Sequence, residues 1–123
     1  MCLRYHKSVE IKIITESITK DDVREMAQRQ FSTFVKAVVD IQKGIMAVGG
    51  EWHRYAAETL IKQGSAEDDL WGINLHPDKE SEEFVEFNSM INIRPSQGNA
   101  SRNVESAEVR QHIMSVVERL MRE

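Results

Sequence analysis

One cysteine, Cys2, occurs in 123 residues. No intrachain disulfide can form, and a reducing compartment fits. No apolar run approaches the roughly 18 residues that a membrane-spanning helix needs. The opening Met-Cys-Leu-Arg-Tyr-His-Lys lacks a continuous apolar segment and does not read as a signal peptide. Together these absences predict a cytoplasmic protein. Positive charge is in deficit, with 16 Lys and Arg against 20 Asp and Glu and a formal net charge of −4. Broad coating of nucleic acid needs many Lys/Arg–phosphate contacts and is disfavoured, although a local basic site on an acidic chain is not. Metal-ligand spacing is missing as well. His6, His53, His76 and His112 are scattered, and neither His-Glu-x-x-His nor Cys-x-x-Cys occurs, so no metal and no cofactor is expected. No Gly-Lys-Ser/Thr ending marks a phosphate-binding Walker loop, and no Gly-x-Ser-x-Gly elbow surrounds Ser96.

What is present suits one ordinary domain. The hydrophobic fraction is 41% and the charged fraction 29%. A chain of this length buries roughly two-thirds of its unfolded surface. Ile11 to Ile14 reads as a first strand. Thr19 is a helix N-cap with Asp22 three residues on, and Val23, Met26, Ala27 and Phe31 recur at helical spacing, giving a helix over 20–31. Residues 34–41 could continue a helical stripe. Their β-branched content and the later Lys43-Gly44 turn favour a strand that forms a hairpin with Ile45 to Val48. A second helix is expected over 51–63, with Trp52, Ala56 and Leu60 on one face and Gly64 closing it. Leu70 to Leu75 resumes strand character until Pro77. Phe84 to Phe87 and Met90 to Arg94 are either two strands with a tight turn at Asn88-Ser89 or one bent strand with a bulge. The last helix begins at Ser106 and buries Val109, Ile113, Val116, Val117 and Leu120.

The order β-α-β-β-α-β-β-β-α predicts an α+β fold. It is a single domain over residues 10–123, preceded by a flexible extension over 1–9. Hairpins outnumber crossovers, so the sheet should be mainly antiparallel with about three helices gathered on one face.

The polar stretch from Arg94 to Asn103 follows a strand and precedes a helix. Arg94 and Arg102 offer planar forks suited to phosphate or carboxylate. Ser96, Gln97 and Asn99 add neutral donors and acceptors, and Gly98 permits positive φ. Alternation along a strand ending at Arg94 would turn Ile91 and Ile93 to the core, and Arg94, Asn99 and Arg102 would then converge on one anion-binding spot. The same residue types also serve any ordered loop that satisfies its own backbone. His53 is the acid/base candidate, near the mouth of the second helix. Gly72, inside a strand, leaves room for a backbone or a ligand. Asn74 and Asn92 must be paired if buried, with each other or facing a pocket.

Gly49-Gly50-Glu51, Asp69-Leu70-Trp71-Gly72-Ile73-Asn74 and the run Ser89 to Asn99 resemble a small bacterial and archaeal family of uncharacterised proteins, catalogued as a domain of unknown function. The resemblance extends from about Ile13 to Leu120. It implies a stand-alone cytoplasmic domain of about this length and carries over no catalytic residue. His53 matches a histidine placed after the Gly-Gly-Glu run, whereas Arg54-Tyr55-Ala56 departs from the acidic pattern there.

Three functions follow as alternatives. A binding module would hold a small anionic ligand on the Arg94–Arg102 loop. A metal-independent enzyme would cleave phosphodiesters with His53 as acid/base and the two arginines stabilising charge. A structural protein would form a homodimer through a strand edge or a helix face. No membrane partner is expected, and nucleic acid is disfavoured by the net charge.

Overall fold

A computed structural model describes residues 10–123; the extension expected over 1–9, with Cys2 and His6, lies outside the described residues. The chain runs β1 (Ile11–Ile14), β2 (Ile18–Thr19), α1 (Lys20–Arg29), β3 (Val35–Asp40), β4 (Ile45–Gly49), α2 (His53–Lys62), β5 (Leu70–Leu75), β6 (Val85–Glu86), α3 (Ala107–Leu120) and β7 (Met121–Arg122). Five strands form one antiparallel sheet in the order β1-β4-β3-β5-β6. The two-residue strands β2 and β7 pair in parallel and tie the start of α1 to the end of α3. The class is α+β.

Local chemistry places the helix ends. Thr19 and Asp22 form a reciprocal capping box: Asp22 N–H donates to Thr19 Oγ1 at 3.0 Å and Thr19 N–H donates to Asp22 Oδ2 at 3.3 Å. Ser106 Oγ accepts from Val109 N–H at 3.2 Å to start α3. Residues 34–41 resolve as β3 and its turn, and the hairpin with β4 forms in the register Val38↔Ala47.

The helices do not gather on one face. α1 and α3 pack with Val35, Ala37, Val39, Met46, Val48, Trp71, Ile73 and Leu75 on one side of the sheet. α2 covers the other side, where Val38, Ala47 and Leu70 meet Ala56 and Leu60. The reason lies in the strands. Every residue of β5, and all but Lys36 in β3, is buried. A sheet apolar on both sides needs cover on both.

Two further expectations change. α1 ends at Arg29, and Phe31, assigned to its buried stripe, is 99% exposed. Met90 to Arg94 is not a strand: Met90–Asn92 is a single 3-10 turn. Ile91 is half-buried under α2 and Ile93 is exposed, so the alternation expected there is absent. The cause is Asn92. Its side chain, rather than a strand backbone, satisfies the open edge of β5.

Candidate functional site

The α2 side of the sheet carries Lys36 and Val38 on β3, and Leu70, Gly72 and Asn74 on β5. Lys36 stands directly opposite Asn74, and Val38 opposite Gly72. α2 covers the apolar pair but starts only at His53, so the polar pair stays open to one side. The Gly49-Gly50 turn, with φ of 109° and 92°, delivers the chain from β4 to that start. The result is a cleft of about 670 Å³ lined by Lys36, His53, Arg54, Asn74 and Arg102, with Phe34, Trp52 and the segment Asn88 to Ile91 forming its walls.

Gly72 makes this arrangement possible. A Cβ there would lie 2.5 Å from Ser89 Oγ and 3.2 Å from His53 Cδ2. The bare backbone lets the serine and the imidazole sit on the strand, which is the close approach that a glycine within a strand signals. Gly72→Ala is expected to lower stability by roughly 1–3 kcal/mol through overpacking and to shift the His53 ring resonances. Equal denaturant midpoints for variant and parent would mean that the Ser89 segment yields freely.

Asn92 is fully buried and behaves as a replacement strand. Its Oδ1 accepts from Gly72 N–H at 2.8 Å, and its Nδ2 donates to the Gly72 carbonyl at 2.9 Å and to the Arg102 carbonyl at 3.0 Å. It is therefore not paired with Asn74. Asn74 donates through Nδ2 to Glu86 Oε1 at 3.2 Å and to the Asn88 carbonyl at 3.3 Å. With the NH₂ group so committed, Oδ1 turns inward and is buried without a hydrogen-bond partner among the described residues. Glu86 also accepts from His76 Nε2 at 2.8 Å, and this bond holds its carboxyl below the usual range.

His53 is 8% exposed, and its Nε2 donates to the Ile73 carbonyl at 2.8 Å. A carbonyl only accepts, so the neutral ring carries its proton on Nε2 and leaves Nδ1 as the basic nitrogen. Burial pushes the imidazole below its ordinary value. The Ile73 carbonyl and the Asn74 amide oppose that shift, and the positive charges of Lys36 and Arg102 add to it.

The polar loop divides between two places. Arg94 stacks over Trp71 at 4.5 Å from the ring centroid. Its guanidinium donates to the carbonyls of Ile91 at 3.0 Å, Asp68 at 3.3 Å and Leu70, and to Gln97 Oε1 at 3.1 Å. With Ser96 and Gln97 it lines an adjoining cleft that shares Arg54 and Ile91 with the first and also holds Glu58, Glu67 and Asp68. Burial draws Arg94 below its ordinary value. Gly98 takes φ of 79° to close the turn, and open space surrounds it. Asn99 is buried and ties the loop to itself: Nδ2 donates to the carbonyls of Asn92, Ser101 and Asn103, and Oδ1 accepts from Glu105 N–H at 2.8 Å. Arg102 alone of the six loop residues lines the His53 cleft. The expected convergence of Arg94, Asn99 and Arg102 on one spot does not occur, because Arg94 and Asn99 spend their polar groups on backbone.

Lys36 and Asn74 were not singled out together by sequence reasoning. Thirty-eight positions separate them, and only the β3–β5 register makes them neighbours. Among the described residues, no three His, Cys, Asp or Glu side chains come together as metal ligands.

Of the segments that carry the family resemblance, Asp69 to Asn74 contributes Asn74 to the cleft and Ser89 to Asn99 contributes Ser89, Met90 and Ile91, while Gly49 to Glu51 leads into its Trp52 to Arg54 wall. The chain belongs to the family described as protein of unknown function (DUF5674). The family model matches residues 12–120, so the DUF5674 region takes in the whole sheet but for Ile11, and all three helices. No curated protein and no solved structure matches the chain. No helix among the described residues of this DUF5674 protein is long and apolar enough to cross a membrane.

Proposed function

We propose that this DUF5674 domain binds a small anionic ligand, a phosphate or carboxylate compound with an apolar or aromatic part, in the His53 cleft. One observation carries the reading. Lys36, Arg54 and Arg102 line a single cleft with an imidazole, and among the described residues no carboxylate lines it. Like charges gathered without counter-charge repel one another, and a bound anion relieves that repulsion. Arg102 is the loop residue that contacts the ligand; Arg94, Ser96, Gln97, Gly98 and Asn99 give the loop its shape. The protein is taken to work in the cytoplasm, which its single cysteine suits.

Sulfate is the simplest probe. It should raise the melting temperature beyond the effect of chloride at equal ionic strength. Sulfate also stabilises proteins generally through exclusion from their surface. The control is the double variant Lys36→Ala with Arg102→Ala, which should lose the specific increment and keep the general one. Equal sulfate gains in parent and double variant would refute the site.

His53 and Arg102 share this cleft, which favours metal-independent phosphodiester cleavage as a second reading. The neutral imidazole would take the proton of the attacking hydroxyl on Nδ1, and Arg102 would face the developing charge. Release of product from a phosphodiester substrate by the parent, and its loss in His53→Gln, is the result that would favour catalysis over binding alone.

A further inference from the structure

Two aromatic side chains occupy positions that helix chemistry reserves for other residues. α1 ends in a Schellman motif: Ser32 N–H donates to the Ala27 carbonyl at 2.9 Å and Phe31 N–H to the Gln28 carbonyl at 3.0 Å. The left-handed residue of that motif is normally glycine. Here it is Phe31, with φ of 54°, and its ring is 99% exposed. α2 begins after Trp52, an N-cap that makes no side-chain capping bond. Ser, Thr, Asp or Asn would stabilise that position over a residue that cannot cap, yet Trp52 stands there and is 57% exposed. Neither ring repays its position by packing. Local rules broken without a compensating gain point to function.

Both rings border connected space. A groove of about 350 Å³ lined by Arg29, Phe31, Phe34, Lys36 and Glu51 shares Phe34 and Lys36 with the His53 cleft. Lys36 Nζ lies 5.4 Å from the Phe34 ring centroid at the junction. Arg29 is engaged with Glu25 and Glu10, so the cations left to meet a ligand are Lys36, Arg54 and Arg102; Glu51 opposes them along the groove, and Arg54 also borders the adjoining cleft that holds Glu58, Glu67 and Asp68. Planar exposed rings alternating with separated cations are what a single strand needs, with bases stacking on the former and phosphates meeting the latter. A carboxylate-rich peptide would use the cations and leave the rings idle.

We infer that the groove from Phe31 through Phe34 and Lys36 to the His53 cleft takes a short single-stranded nucleic-acid segment, its phosphates on Lys36, Arg54 and Arg102 and its bases against Phe31 and Trp52. Three cations set the length at about three nucleotides. This rests on the anion-binding reading of the same cleft and extends it to a substrate class. The net charge of −4 restricts the contact to this groove.

The test is fluorescence anisotropy with labelled five-nucleotide oligothymidylate and oligouridylate. Log affinity against log salt should fall with a slope of about −2, the value for three phosphates on a single strand. Phe31→Gly suits the positive φ, so the fold is retained. It should weaken oligonucleotide binding roughly 5- to 150-fold, the range that one base–aromatic stack supplies. Sulfate binding should be unchanged in that variant. Oligonucleotide affinity equal to the parent's in Phe31→Gly, or a salt slope near zero, overturns the inference. Sulfate binding without any oligonucleotide binding overturns the inference and leaves the anion site standing. Failure of both ligands removes the anion site too.

Discussion

Asn92→Ala is expected to cost about 3–5 kcal/mol, because one substitution leaves both the N–H and the carbonyl of buried Gly72 without partners. The Asn92 amide bonds both the N–H and the carbonyl of Gly72 and also the Arg102 carbonyl. β6 pairs only with Asn74 and Leu75 and does not reach Gly72. Among the described residues no other strand lies on that edge of β5, so no strand replaces the lost bonds. Asn92→Asp should fare no better, since a carboxylate cannot donate to the two carbonyls and its charge would be buried. The damage reaches function as well as stability. The Arg102 carbonyl keeps its bond from Ser89 N–H at 3.1 Å but loses the one from Asn92, so the arginine is held less firmly, and the variant should show weaker sulfate-specific stabilisation at temperatures where it remains folded. Urea denaturation gives the first effect and a sulfate titration the second. A denaturant midpoint within error of the parent would show that Asn92 does not hold the β5 edge.

The second large effect is on pH dependence, and it has two opposite signs from one group. In the unfolded chain His53 takes up its proton near its ordinary value, about 6.5. In the folded protein burial, reinforced by the charges of Lys36 and Arg102, moves that event to lower pH. Between the two values the unfolded state binds more protons, so the His53 contribution to stability is fully present above about pH 6.5 and is lost as pH falls towards the folded value. Sulfate reverses the balance. An anion among Lys36, Arg54 and Arg102 removes the repulsion that disfavours the imidazolium, so anion binding and proton uptake promote each other. Sulfate affinity should therefore rise as pH falls, by at most about tenfold per pH unit for one linked proton. The buried Asn74 Oδ1, which has no hydrogen-bond partner among the described residues, is an acceptor beside the ring that a second ring N–H could use. Sulfate itself does not titrate in this range, so the linkage belongs to the protein. His53→Gln should flatten the pH profile of sulfate affinity. A profile equally steep in the variant would assign the proton elsewhere.

Much of the scaffold was legible from residue order. The Thr19 and Ser106 caps, the Lys43-Gly44 hairpin and the stripe Ile113, Val116, Val117 and Leu120 on α3 are local signals, and local geometry decided them. The candidate site was legible in pieces. His53, Gly72, Asn74 and Arg102 each stood out, but their grouping did not, and Lys36 carried no signal beyond being a charge in a strand. Arg94 misled for a physical reason. An arginine among Ser, Gln and Asn looks the same in sequence whether its donors face a ligand or backbone carbonyls, and here the carbonyls of Asp68 and Leu70 arrive from 26 and 24 positions away.

By itself, then, the sequence determined an α+β class, the starts of α1 and α3 and the absence of metal-ligand spacing, since each depends on residues within a few positions of one another. Only the tertiary structure decided which face α2 covers, that Asn92 substitutes for a strand beside Gly72, and that Lys36, His53, Arg54, Asn74 and Arg102 share one cleft. Those outcomes depend on the β3–β5 register and on which buried backbone groups lack a strand partner. Both are properties of the folded sheet, set by contacts between segments far apart in the chain.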